Sequence, residues 1–194
     1  MRRFAIALLL AGGPASAAPL YLPTRDVSVD YRLQADGPHP DAVTMDYSAA
    51  SGRARIGSPG GPAYAIVDRR AGRLLLVVDL LHAVVEQRFD PAEGYGLRIG
   101  RDASFTPLGA DRVAGAACRD WSVRTTQGEA TACLTPDGVI LRARYDGKRG
   151  HAALTATRVS WGARPGALFE APDGYAALPA ATLPPLLRGL LPAG

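Results

Sequence analysis

The side chains able to do chemistry are few and scattered. Cys118 and Cys133 are the only cysteines, and His39, His82 and His151 the only histidines. A Cys pair with no His or third Cys at ligand spacing does not make a metal centre. His39, near Asp41, reads as a solvated loop residue. His82 lies in an apolar run and reads as a satisfied core residue; His151, after Gly150, reads as a turn residue. Asp120 beside Trp121 is the most tempting acid. Acid–base catalysis needs a partner within reach, and none is visible, so Asp120 reads as a strand-end hydrogen bonder or an arginine partner. There is no Gly-x-Ser-x-Gly elbow, no His-Glu-x-x-His and no phosphate loop. The expectation is a protein that is not an enzyme and holds no cofactor and no metal.

The two thiols point instead to a compartment. Arg2 and Arg3, an apolar run over residues 4–11 and the small residues Ala15-Ser16-Ala17 have the form of a secretory signal cleaved after Ala17. No other stretch is long enough for a transmembrane helix. A periplasmic or secreted protein, soluble after cleavage, is expected. In that setting an even cysteine count favours a Cys118–Cys133 disulfide over two buried free thiols. The loop closed is about 16 residues, worth roughly 3 kcal/mol in the chain-entropy model. The chain has 22 Lys and Arg against 18 Asp and Glu; without Arg2 and Arg3 the basic count is 20, and the net charge +2. Arginines are spread singly apart from Arg69, Arg70 and Arg73, so nucleic acid is not an expected partner.

Alternation of apolar and polar residues supplies the elements. Residues 26–34 place Val27, Val29, Tyr31 and Leu33 on one face, and Val43, Met45 and Tyr47 repeat the pattern. Short strands follow at 53–56, 64–67 and 73–78, separated by Pro- and Gly-rich turns. Successive hairpins of this kind imply an antiparallel sheet. Residues 80–89 fit either a helix or a strand. Extended pieces at 104–108 and 111–113 lead into a three-stranded meander over 113–145. Thr135-Pro136-Asp137-Gly138 is a turn by its chemistry: Pro fixes φ, Asp bonds its own backbone and Gly takes a positive φ. An earlier reversal at Gln127-Gly128 sets Cys133 opposite roughly Ser122, so a bridge to Cys118 calls for a bend or a bulge. A long last strand covers 152–161. Leu183, Leu186, Leu187, Leu190 and Leu191 recur at helical spacing behind Thr182, giving a short C-terminal helix that packs on the open end, acts as a lid or serves as an interaction tail. The organisation is thus a signal peptide over 1–17, one β-rich domain over 18–178, and a Pro/Leu-rich tail over 179–194.

Val113-Ala114-Gly115, Cys118, Asp120-Trp121, Ala132-Cys133-Leu134-Thr135, Asp137-Gly138-Val139 and Leu141-Arg142 resemble the signature of a family of secreted bacterial proteins of unknown function. Leu168-Phe169, Pro172 and Gly174-Tyr175 resemble that family's ending. That family is in turn similar to the periplasmic lipoprotein carriers (LolA/LolB-like). The resemblance implies a mostly β fold, a curved antiparallel sheet or incomplete β-barrel with an apolar cavity, and it favours a strand over 83–89. On such a sheet Tyr31, Leu33, Met45, Tyr47, Trp121 and Trp161, core residues by default, would line the concave face. The functional expectation is a non-enzymatic periplasmic or secreted module holding a lipid or acyl-type hydrophobic ligand. The alternative is an envelope protein-interaction or scaffold domain with a filled core, partnered by another envelope protein.

Overall fold

The computed structural model describes residues 18–37, 40–90, 103–125, 128–147, 150–179 and 181. The expected signal peptide, His39, most of the loop after Asp90 and the C-terminal Leu-rich helix lie outside the described residues. Within them, twelve strands form one open sheet. They are β1 (Val27–Ala35), β2 (Ala42–Ser48), β3 (Arg53–Gly57), β4 (Ala63–Asp68), β5 (Arg73–Val78), β6 (Ala83–Arg88), β7 (Ser104–Val113), β8 (Ala116–Thr125), β9 (Gly128–Leu134), β10 (Ile140–Gly147), β11 (Gly150–Trp161) and β12 (Ala176–Ala177). The order is β12-β6-β5-β4-β3-β2-β1-β11-β10-β9-β8-β7. Two meanders, β1–β6 and β7–β11, are joined along β1 and β11, and every pairing except β12 on β6 is antiparallel.

Register explains the core. Trp161, Val27, Tyr47, Ala54, Val67 and Leu74 form one cross-strand row from β11 to β5. Val159, Val29, Met45, Ile56, Ala65, Leu76 and Val85 form the next. Both rows lie on one face because side chains of a pleated strand alternate with period two. The sheet curls, bringing β7 back near β11. Val113, Cys118, Cys133, Val139 and Leu141 thereby join Val27, Val29, Tyr31 and Tyr47 in one buried cluster. A second cluster, Val67, Leu74, Leu76, Val78 and Val85, continues it across Ala54.

Several expectations are resolved or corrected. Residues 83–88 are the strand β6, entered through a single 3₁₀ turn at Asp79–Leu81. Leu80 and Leu81 are exposed there, and so is His82, which is not a core residue. It caps the turn in the left-handed region (φ 46°), with its ring against Tyr175. The two short pieces at 104–108 and 111–113 are one strand, β7, with an irregularity at Leu108. The Cys118–Cys133 disulfide is present, with Cα atoms 5.5 Å apart. No bulge brings it about. The β8–β9 reversal closes at Thr125–Gly128, two positions of register away from the expected one, and Cys133 faces Asp120. Cys118 is the diagonal neighbour, just past the last β8–β9 pair, Arg119–Leu134.

After β11 the chain forms a strap. Asp26 receives its start, accepting from the Gly162 N–H on its carbonyl and the Arg164 N–H on its carboxylate. A 3₁₀ turn, Gly166–Phe169, buries Phe169 and passes against β3. The Tyr175 hydroxyl then donates to Asp79, and β12 runs parallel to β6.

Candidate binding cleft

Two turns, the segment before β1 and the last residues of β11 meet at one rim of the curled sheet. The β7–β8 hairpin turns at Ala114 and Gly115, with φ of 48° and 77°. Two consecutive positive φ values are the type I′ geometry, whose twist matches the flanking strands. Ala114 takes it although it has a Cβ, at a cost of about 1 kcal/mol. The second turn is the expected Thr135–Gly138. Gly138 N–H donates to the Thr135 carbonyl at 3.0 Å, and Val139 N–H to the Thr135 hydroxyl at 2.9 Å. Gly138 has φ +87°, and a Cβ there would lie 2.2 Å from the Leu22 carbonyl oxygen. That close approach, with the Thr24 N–H bonding the Asp137 carbonyl at 2.9 Å, pins the N-terminal segment to the turn.

Between these turns lies an open cleft of about 350 Å³, lined by Arg25, Ala114, Gly115, Ala116, Ala117, Thr135, Pro136, Asp137, Val159 and Trp161. Asp137 organises it. Its carboxylate accepts from the Trp161 indole N–H at 2.9 Å, from Arg25 Nε at 2.6 Å and from the Thr135 hydroxyl. Burial works to raise the Asp137 carboxyl, but the Thr135 and Arg25 hydrogen bonds and the Arg25 charge outweigh it and hold the group below the usual carboxylate range. Arg25 lies over the indole, 4.9 Å from the ring centroid, with its side chain 60% exposed. The floor is fixed by charge-assisted bonds; the half-buried Trp161 ring packs on the main cluster beneath Arg25, whose guanidinium remains open to solvent.

A second charged group sits on β7, β8 and β10. Arg142 donates to Asp111 at 2.6 Å and to Asp120 at 3.0 Å. The Arg112 backbone N–H and the Arg142 guanidinium hold Asp111 below the usual carboxylate range. Asp120 is therefore an arginine partner. Asp111, Asp120 and Cys133 come close enough to suggest a cation site. However, Cys133 is in the disulfide and the guanidinium already lies between the carboxylates.

The six residues expected on the concave face are not all together. Tyr31, Met45, Tyr47 and Trp161 belong to the main cluster. Tyr31 is buried and its hydroxyl donates to the Ile140 carbonyl at 2.7 Å. Trp121 belongs to a separate cluster with Val123 and Leu134, against Tyr21 and Phe105. Leu33 is half-buried and in neither group. Of the six only Trp161 also lines the cleft. Thr135 and Asp137 lie in a turn whose chemistry is legible in the sequence. Arg25 carries no such signal, since its partner Asp137 is 112 residues away.

Solved structures resemble this one to differing degrees. An uncharacterised conserved protein from Thermus thermophilus superposes with a TM-score of 0.56 at 11% identity, over 80% of this chain and 91% of its own. A chain of the Pseudomonas aeruginosa MucA/MucB complex superposes with a TM-score of 0.50 at 17% identity, over 76% of this chain and 56% of its own. A LolA superfamily protein from Nitrosomonas europaea gives a TM-score of 0.36 at 9% identity, over 78% and 92%. No protein-family model and no curated protein matches the sequence. For the first two of these the likeness is one of fold.

Proposed function

We propose that this protein is a non-enzymatic binding module of the bacterial envelope that recognises a protein partner at the Trp161 cleft. The observation that carries the reading is the contrast between two surfaces. The inner face of the sheet is closed by its own side chains, with Val27, Val29 and Val85 fully buried. The recognition side chains, a half-buried tryptophan and the exposed arginine stacked over it, stand at the rim. Tryptophan and arginine are the residues that most often dominate protein interfaces. The MucA/MucB structure, of similar fold, is itself a complex of two proteins. The signal-like N-terminus supports a location outside the cytoplasm.

A second reading, a lipid or acyl-type hydrophobic ligand, draws on the apolar part of the same cleft, Val159, Ala116 and the Trp161 ring. One experiment separates the two. The protein is exported into a bacterial periplasm, purified without detergent and weighed by native mass spectrometry beside a Trp161→Ala variant. A co-purifying polypeptide lost in the variant supports the proposal. A lipid-sized mass lost in the variant supports the second reading. A clean apo mass from both, with no partner recovered after cross-linking in the cell, overturns both.

A further inference from the structure

The sheet ends in two unlike edges. At one, β12 is two residues long and is bonded to β6 by a strap. At the other, β7 runs for ten residues and is exposed along most of its length, with Leu108 60% exposed. Pro107 and the irregularity at Leu108 blunt its first half, since proline offers no N–H and a bulge breaks the ladder. From Gly109 to Val113 the edge is regular. Val113–Ala116 is the closing pair of a two-residue hairpin, so it exchanges hydrogen bonds. Arg112 and Ala110, at alternate positions, therefore turn their N–H and C=O outward. The Arg112 N–H agrees: it donates to the side chain of Asp111, not to β8. Among the described residues nothing else bonds this outer edge, so an added strand meets the Ala110 N–H and both carbonyls unpaired and displaces the Asp111 carboxylate from the Arg112 N–H.

We infer that the outer edge of β7 at Ala110–Arg112 takes up an extended, acidic polypeptide segment as an added strand, running beside the Trp161 cleft. The inference rests on the protein-interaction reading and names the kind of partner. Its chemistry follows from charge. Arg112 and Arg119 are diagonal neighbours on one face of the β7–β8 ribbon, both exposed; the Arg112 guanidinium donates to the Gly115 carbonyl of its own hairpin, and no carboxylate is paired with either guanidinium among the described residues. Arg25 adds a third exposed guanidinium at the end of the same hairpin. On the opposite face Asp111 and Asp120 are already neutralised by Arg142. A strand with Asp or Glu at alternate positions would therefore meet arginines on one side and a satisfied pair on the other. The same charges disfavour a second copy of this chain, because β7 against β7 opposes arginine to arginine.

The test uses the mature protein and a displayed library of random dodecapeptides. The expected result is enrichment of peptides with acids at alternate positions. Binding of one such synthetic peptide should weaken at least tenfold with Ala110→Pro, with the Arg112→Glu/Arg119→Glu pair, and when the peptide's alternate amides are N-methylated. The N-methylated peptide needs no change in the protein, so the test survives if a variant misfolds. Three results would overturn the inference: no acidic enrichment, binding indifferent to both Ala110→Pro and N-methylation, or self-association through β7 instead. Loss with Trp161→Ala but not with Ala110→Pro or N-methylation leaves the cleft reading standing and removes the added strand. The reverse pattern keeps the strand and removes the cleft.

Discussion

Asp137 gathers an indole N–H, a guanidinium and a hydroxyl on one carboxylate. Asp137→Asn keeps the shape and removes the charge. It is expected to cost roughly 2 kcal/mol, the worth of hydrogen bonds to a charged group, and to shift Trp161 emission. The pH dependence has a definite sign. A carboxyl depressed in the fold contributes stability that is complete above its unfolded value, about 3.9, and is lost as pH falls through the folded value. Urea midpoints should therefore hold between neutrality and about pH 5 and fall below about pH 4, less steeply in Asp137→Asn. Tyr31 shows the opposite case. Burial pushes its phenol up, so its contribution is intact below the unfolded value of about 10 and is lost at higher pH. Gly138→Ala sets a Cβ against the Leu22 carbonyl in a left-handed backbone. It should destabilise by roughly 2–3 kcal/mol and free residues 22–25, read as faster tryptic cleavage after Arg25.

Elements are legible in the sequence where one face is buried. In β1, Val27, Val29 and Tyr31 alternate with more exposed neighbours because the inner face demands it. β7 carries no such stripe, being exposed on both faces over most of its length before the buried Val113, and so alternation does not reveal its length. The turn at Thr135–Gly138 can be read from local chemistry. The one at Thr125–Gly128 cannot be placed to the residue, and two positions of register change how the cysteines meet. Since Cys118 and Cys133 lie on paired strands, replacing both with Ala removes a cross-link without removing the ladder. The expected loss is roughly 3 kcal/mol by denaturant melts, with the fold retained. The fold's survival would separate a staple from a scaffold.

The candidate site shows what alternation leaves out. Periodicity says which side chains share a face and nothing about which strand lies beside which. The cleft exists because β1 pairs with β11 and because Leu22–Arg25 reaches the 135–138 turn, contacts more than a hundred residues apart in the chain. Sheets dominated by such pairings fold in milliseconds to seconds, and refolding followed by Trp fluorescence is expected in that range. A chain ending at residue 149, without β11, should fail to give the native near-ultraviolet circular dichroism. β1 sits in the middle of the sheet, yet it is the first strand to be made. Until Trp161 arrives to meet Val27, the nascent β1–β6 half presents an unpaired ladder and the stripe of Val27, Val29 and Tyr31. An open edge beside an apolar stripe is a template for pairing with another chain, so the interval before β11 arrives is when this molecule is most exposed to aggregation.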